Sequence, residues 1–209
     1  MQKQERVAAI VRRLEAAYPN ALCSLAYEKD YELLFSVRLA AQCTDARVNK
    51  TTPALFSRFP TLQAFAEAEI AAVEELVRPC GFYRTKARDL IAAAMILLRD
   101  FDGRVPDNMD DLLRLPGIGR KTANLILGDV YNMPGAVVVD THCIRLSNRM
   151  GLVQTRDPLK IETELRKLLP PDKSNDFCHR LVLHGRAVCT ARRAKCDVCP
   201  VADVCKKIV

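Results

Sequence analysis

No window of the chain approaches the roughly 18 consecutive apolar residues that a membrane span needs, so a bilayer-crossing protein is not expected. The polar opening, Met1-Gln2-Lys3-Gln4-Glu5-Arg6, leads into an amphipathic helix and not into an h-region, so no secretory leader is expected. Histidine is scarce: His142, His179 and His184 are the three, and none has metal-ligand spacing to another. Low-complexity segments are missing, and so are repeats beyond a general helix-turn pattern. Strands are missing too. The four apolar residues Ala136 to Val139 have nothing to pair with and read as a buried connector. The nine cysteines are an odd number with four crowded at one end. That excludes a secreted disulfide framework and favours a reduced, cytosolic chain with a metal site.

What is present is helical. The 209 residues allow one large domain or two small ones. Val7, Ile10, Val11 and Leu14 keep spacings of three and four within a first helix over 3–17. Tyr31 to Ala41 is strongly apolar and runs into Gln42-Cys43-Thr44-Asp45, where Thr44 or Asp45 can cap a helix over Ala46 to Arg58. Further helices are expected over Ile70 to Arg78, Arg84 to Arg99, Asp140 to about Met150, Pro158 to Leu168 and Asp176 to Val188. About ten helices make an all-α protein, with a domain boundary near Asn132-Met133-Pro134-Gly135.

The net charge is +7. Arg180, Arg186, Arg192, Arg193, Lys195, Lys206 and Lys207 stand against Asp197 and Asp203, so five of the seven positive charges sit in the last 30 residues. A concentrated basic end points to nucleic acid.

The most organised stretch is Leu115-Pro116-Gly117-Ile118-Gly119-Arg120-Lys121-Thr122-Ala123. A short helix, Asp110 to Leu115, should enter it, and a second should leave from about Arg120. Both glycines tolerate positive φ and clear space for an approaching backbone. The N-terminus of the second helix offers N–H groups and a positive dipole end to a phosphate. Ala123, Ile126, Leu127 and Val130 form that helix's apolar stripe, which places Lys121 on the opposite face.

Cys189, Cys196, Cys199 and Cys205 are spaced C-x6-C-x2-C-x5-C. Four thiolates so close can hold a structural zinc or a [4Fe–4S] cluster. Arg192, Arg193 and Lys195 surround them as candidate phosphate contacts. Cys23, Cys43, Cys80, Cys143 and Cys178 are scattered and read as small apolar residues.

The hairpin, the segment Val139-Asp140-Thr141-His142 and the cysteine spacing together closely resemble the endonuclease III family of helix-hairpin-helix DNA glycosylases with AP-lyase activity. Gln42-Cys43-Thr44-Asp45, Gly81-Phe82-Tyr83-Arg84-Thr85-Lys86-Ala87 and Leu183-His184-Gly185-Arg186 extend the resemblance over nearly the whole chain. It implies two helical domains flanking a DNA groove. One is a six-helix domain over 22–132, with the hairpin at about 110–131. The other combines 1–21 with 133–209 and holds a [4Fe–4S] cluster on Cys189, Cys196, Cys199 and Cys205. It implies a monomeric enzyme of a bacterial or archaeal cytoplasm, nucleoid-associated. Its substrate would be double-stranded DNA containing oxidised pyrimidines such as thymine glycol, or abasic sites.

A damaged base must leave the duplex before chemistry. Lysine suits the combined reaction, because its amine displaces the base and leaves a Schiff base that drives β-elimination. The resemblance assigns Lys121 as nucleophile and Asp140 as the carboxylate beside the sugar; from position alone Asp140 is an ordinary helix N-cap. Gln42 and Phe82 are the candidates to fill the gap left in the stack, though the family usually has leucine at the position of Phe82. Gly117, Ile118, Gly119 and Arg120 would bind DNA. The rivals are a thymine or adenine mismatch glycosylase of the same superfamily and a non-catalytic helix-hairpin-helix DNA-binding protein. Val37 and Arg38, one turn before Gln42, supply no acid of the kind an adenine glycosylase uses.

Overall fold

The computed structural model describes residues 2–208. Eleven α-helices occur among the described residues: α1 (Lys3–Ala17), α2 (Asp30–Ala40), α3 (Asp45–Arg58), α4 (Leu62–Ala66), α5 (Ile70–Val77), α6 (Tyr83–Asp100), α7 (Met109–Leu112), α8 (Arg120–Asp129), α9 (Thr141–Arg149), α10 (Pro158–Leu168) and α11 (Ser174–Ala187). Short 3-10 turns cover Arg78–Cys80, Pro171–Lys173 and Cys196–Val198. The described residues contain no strand, only an isolated antiparallel bridge between Cys189 and Ala194. Among the described residues, no helix is long and apolar enough to cross a membrane.

The chain divides into two compact units, Ser24–Tyr131 and Met1–Cys23 with Asn132–Val209. The unbroken unit holds α2 to α8, seven helices where six were expected; α4 and α7 are single short segments of five and four residues. Its side chains meet around Phe35 and Phe65, whose rings pack edge to face at 4.9 Å, with Phe59 a further 5.3 Å from Phe65. Both central rings are fully buried. Each such burial stabilises by about 1.5–3 kcal/mol. Helix α6 runs through this core, burying Lys86, Ala87, Leu90, Ala93, Ala94 and Leu97 along one side.

Caps decide where these helices start. Thr44 accepts the Arg47 N–H, Thr61 the Ala64 N–H and Asn108 the Asp111 N–H. The Asn108 cap shifts the first hairpin helix. It begins at Met109 and ends at Leu112, so the expected span Asp110 to Leu115 is corrected. Leu113 to Leu115 instead turn into the loop, and the Ile118 N–H donates to the Leu115 carbonyl at 3.2 Å.

In the split unit, α1 packs on α11 and α11 on α9. Ile10, Leu14, Leu146, Leu165, Phe177 and Leu181 are fully buried there. Ala136 to Val139 are all buried without forming a strand, in keeping with a buried connector. Arg6 is buried at 8% exposure because its guanidinium donates to the Gly151 carbonyl at 2.8 Å and to the Met150 carbonyl.

Candidate functional site

Lys121 stands exposed in the first turn of α8, while the six consecutive residues Ala123 to Gly128 that follow are buried on every side of the helix. Gly119 is the N-cap and has no side chain to close the helix end. The opening turn is therefore presented with its dipole end uncovered by any capping side chain.

The two hairpin glycines serve different purposes. Gly117 is at φ +72°, and a Cβ there would stand 2.6 Å from Arg38 Cδ and 2.6 Å from Asp89 Oδ2. Gly119 is at φ −111°, which any residue adopts, and a Cβ there would meet nothing within 4 Å. Of the two, only Gly117 takes up a positive φ; at Gly119 the space that a side chain would occupy is open. Ile118 is 8% exposed, so its side chain anchors the turn inward, and any contact it makes to a ligand is through its backbone.

Beneath the turn lies an ion pair that charge counting along the sequence does not reveal. Arg38 at the end of α2 meets Asp89 of α6 through Nε at 2.7 Å and through a terminal nitrogen at 2.6 Å, with side chains 14% and 18% exposed. Both nitrogens converge on one carboxylate oxygen, Asp89 Oδ2, and this charge-assisted contact ties α2 to α6 under Gly117.

Gln42 and Phe82 share an unusual backbone. Gln42 is at φ +54° and Phe82 at φ +48°, the left-handed region that side chains disfavour. Both are exposed, Phe82 at 65%. Phe82 forms the N-cap of α6, directly after Gly81 at φ +69°.

In the other unit, Asp140 follows the buried connector and caps α9, accepting the Cys143 N–H at 2.7 Å. Its side chain is at an intermediate depth. Gly185 of α11 packs against this helix start: a Cβ there would press on His142 and stand 2.8 Å from Arg145. Arg145 also donates to the Gly185 and Cys189 carbonyls, joining the start of α9 to the cysteine segment.

Cys189, Cys196, Cys199 and Cys205 line one cavity of about 40 Å³, and none is in a disulfide. Burial pushes the Cys199 and Cys205 thiols up, and in each case the neighbouring cysteines push further in the same direction. The sulfurs are met by polar groups. The Arg149 guanidinium lies 3.4 Å from Cys189 Sγ, the Lys207 N–H 3.3 Å from Cys205 Sγ and His184 Nε2 3.5 Å from Cys199 Sγ. The Arg149 guanidinium and the Lys207 N–H donate to sulfur, which supports thiolate ligands, so the four cysteines fit a thiolate-bound centre such as an iron–sulfur cluster. Among the described residues, no group of three or more His, Cys, Asp or Glu is arranged to hold a single metal ion.

His184 is the site residue missed from the sequence. It is fully buried, and burial lowers its pKa to about 4. Tyr18 OH lies 3.0 Å from its Nδ1, so the ring bridges α1 and Cys199. Its lack of spacing to another histidine concealed this, because its partner is a cysteine 15 residues away. Arg192 and Arg193 are exposed on the turn closed by the Thr190 N–H donating to the Arg193 carbonyl at 3.0 Å. Lys195 donates its ammonium to the Ala187 carbonyl at 3.1 Å.

Residues 35–171 match the model of the HhH-GPD superfamily, described as base excision DNA repair protein. The chain is 44% identical over 203 residues to the endonuclease III of Synechocystis sp., covering 97% of this chain and 93% of that protein. It is 36% identical to the endonuclease III of Escherichia coli over 206 residues, 99% and 97% of the two chains. Among solved structures, it is similar to a non-covalent endonuclease III–DNA complex with a TM-score of 0.92 at 35% identity, covering 99% of this chain and 97% of that one. A trapped endonuclease III–DNA covalent intermediate is similar with a TM-score of 0.91, also at 35% identity and the same coverage. A thermostable thymine-DNA glycosylase shares the fold at 20% identity, with a TM-score of 0.86 over 97% of this chain and 96% of that one. The chain therefore belongs to the endonuclease III family of the HhH-GPD superfamily, the base excision repair DNA glycosylases with AP-lyase activity.

Proposed function

We propose that the chain removes oxidised pyrimidines such as thymine glycol from double-stranded DNA and cuts the strand 3′ to the resulting abasic site, with Lys121 as nucleophile. The observation that carries this reading is an exposed lysine in the uncapped first turn of α8, two residues after a glycine whose Cβ position is open. A phosphate received at the helix end fixes the DNA backbone and leaves the lysine to reach the sugar. The similarity to an endonuclease III trapped covalently on DNA supports a covalent intermediate.

The reaction follows from the amine. Lys121 Nζ attacks C1′ of an everted nucleotide; the new N–C1′ bond forms as the C1′–base bond breaks. One amine proton neutralises the departing base anion; the C1′–O4′ bond then breaks, O4′ takes a proton from solvent, and the open sugar remains as an iminium on Lys121. That iminium acidifies C2′, and loss of a C2′ proton expels the 3′ phosphate by β-elimination. Asp140 supports the step from the start of α9: its carboxylate stabilises positive charge growing on the sugar as the base departs. Capping α9 through the Cys143 N–H fixes that carboxylate's orientation. Gln42 and Phe82 fill the vacated stack, and Gly117 to Arg120 with Arg192, Arg193 and Lys195 contact the DNA backbone.

Cys189, Cys196, Cys199 and Cys205 would hold a [4Fe–4S] cluster. When bound, the cluster supplies a rigid core for the loop that presents Arg192 and Arg193. The protein would act as a monomer in the cytoplasm, associated with the nucleoid.

Borohydride trapping on duplexes carrying thymine glycol, an abasic site or a G·T mismatch tests this reading. Trapping on the first two and none on the mismatch is expected. Release of thymine from the mismatch without excision of thymine glycol would favour the thymine mismatch reading, and neither base release nor trapping on any duplex would favour a non-catalytic DNA-binding protein. Iron and sulfide in a brown preparation, rather than zinc, test the cofactor.

A further inference from the structure

Lys86 is fully buried, although it lies only four residues into α6. Its ammonium donates to the carbonyls of Leu39, Ala41 and Cys80, each at 2.8 Å. Three carbonyl acceptors require three N–H donors, so the group is the charged ammonium; a neutral amine has only two. Burial nevertheless pushes its pKa down from lysine's ordinary value. A charge kept at that depth is costly unless something depends on it.

What depends on it is the backbone on either side. The Leu39 and Ala41 carbonyls belong to the C-terminal end of α2, where a cation meets the negative dipole end. Ala41 immediately precedes Gln42, at φ +54°. Cys80 is two residues before Phe82, at φ +48°, across Gly81 at φ +69°. Left-handed backbone at exposed, non-glycine positions persists only where the surroundings over-determine it. Here one nitrogen fixes the peptide before the first strained residue and the turn before the second. Three residues on, Asp89 holds Arg38 under the hairpin turn, so the same face of α6 supports both the hairpin and these two loops.

We infer that Lys86 is a positioning residue for base eversion: its buried ammonium locks the loops of Gln42 and Phe82 in the strained geometry that fills the emptied stack. This inference rests on the proposed gap-filling role of Gln42 and Phe82. Lys86 itself touches no DNA and takes no part in the Schiff-base chemistry.

The test is a double-mutant cycle in the full chain between Lys86→Met and the pair Gln42→Ala with Phe82→Ala. Lys86→Met keeps the length of the buried stem and removes the three bonds. Single-turnover excision of thymine glycol from duplex DNA is the first readout, and a loss on the order of a hundredfold is expected for Lys86→Met. Fluorescence of a 2-aminopurine paired opposite the lesion reports unstacking, and its rise should be lost in step. Borohydride trapping on a single-stranded abasic oligonucleotide needs no gap filling and should stay near the parent level. In the background lacking both plugs, Lys86→Met should cost less than about threefold, because its effect runs through residues already removed.

An equal loss in both backgrounds overturns the inference while leaving the gap-filling role intact. If the plug pair excises as well as the parent, the gap-filling reading fails and takes this inference with it. Should Lys86→Met fail to fold, Lys86→Arg keeps a charged donor and carries the same cycle. Arginine cannot reproduce three bonds around one nitrogen, so a loss that vanishes in the plug-free background is again expected.

Discussion

Alanine at Gly117 and at Gly119 should fail in different ways, although the two glycines sit two residues apart in one motif. At Gly117 the φ of +72° is the first obstacle, and left-handed backbone costs a side-chain-bearing residue roughly 1–2 kcal/mol. The second is the Arg38–Asp89 pair. A methyl group would stand 2.6 Å from Asp89 Oδ2 and 2.6 Å from Arg38 Cδ, so the pair must swing apart. Its side chains are only 14% and 18% exposed, and a charge-assisted bond at that depth contributes about 1.5–3 kcal/mol. The combined loss, about 3–5 kcal/mol, lowers Tm by on the order of 10 °C in a chain of this size. At Gly119 the backbone is ordinary and the space is open. Alanine there gains about 0.4–1 kcal/mol by restricting the unfolded chain and gives back a similar amount as a poor N-cap, so Tm should move by less than about 2 °C. Its methyl group would instead stand where a phosphate approaches α8, and DNA affinity should fall roughly tenfold, about 1.4 kcal/mol. Thermal unfolding by circular dichroism and fluorescence anisotropy on a duplex with an uncleavable abasic analogue measure the two effects. Equal Tm losses, or Gly119→Ala binding DNA as the parent does, would refute the division of labour.

Asp140→Asn keeps a side-chain oxygen for the Cys143 N–H and should hold the unfolding free energy within about 0.5 kcal/mol of the parent while excision falls at least tenfold; Asp140→Ala loses the cap as well, a further cost of about 1 kcal/mol. Urea unfolding alongside single-turnover excision separates the two effects. Cys199→Ser should lower bound iron and sulfide and destabilise the protein, measured by metal analysis and the visible absorption band. Tyr18→Phe removes the hydroxyl from His184 Nδ1 and should cost about 1 kcal/mol in unfolding without changing DNA affinity.

Much of the helical order could be read from spacing alone, because the apolar positions of α1 and α2 and the caps Thr44, Thr61 and Asp140 are local signals. The end of α7 could not. Asn108 caps the helix one residue earlier than its apolar pattern suggests, and the pattern continues to Leu115, which is buried although the backbone has already left the helix. Gly117 and Gly119 look equivalent because sequence carries no φ and no neighbours; the Arg38–Asp89 pair that distinguishes them joins residues 51 apart. Lys86 was invisible for the same reason. A lysine on a helix reads as solvent-facing, and its three carbonyl partners come from the end of α2, remote in sequence, and from the turn Arg78–Cys80. The cysteine spacing marked out four thiols that line one cavity, but His184 and Arg149 beside them were set by the packing of α9 and α11.

The central claim is that one lysine on the hairpin does the chemistry. It is tested most directly by reducing the protein with borohydride on abasic duplex DNA, digesting the adduct and locating the sugar by mass spectrometry. The account predicts a single modified residue, Lys121, and no adduct in Lys121→Gln despite retained DNA binding. A sugar attached to any other amine, or an undiminished adduct in Lys121→Gln, would contradict it.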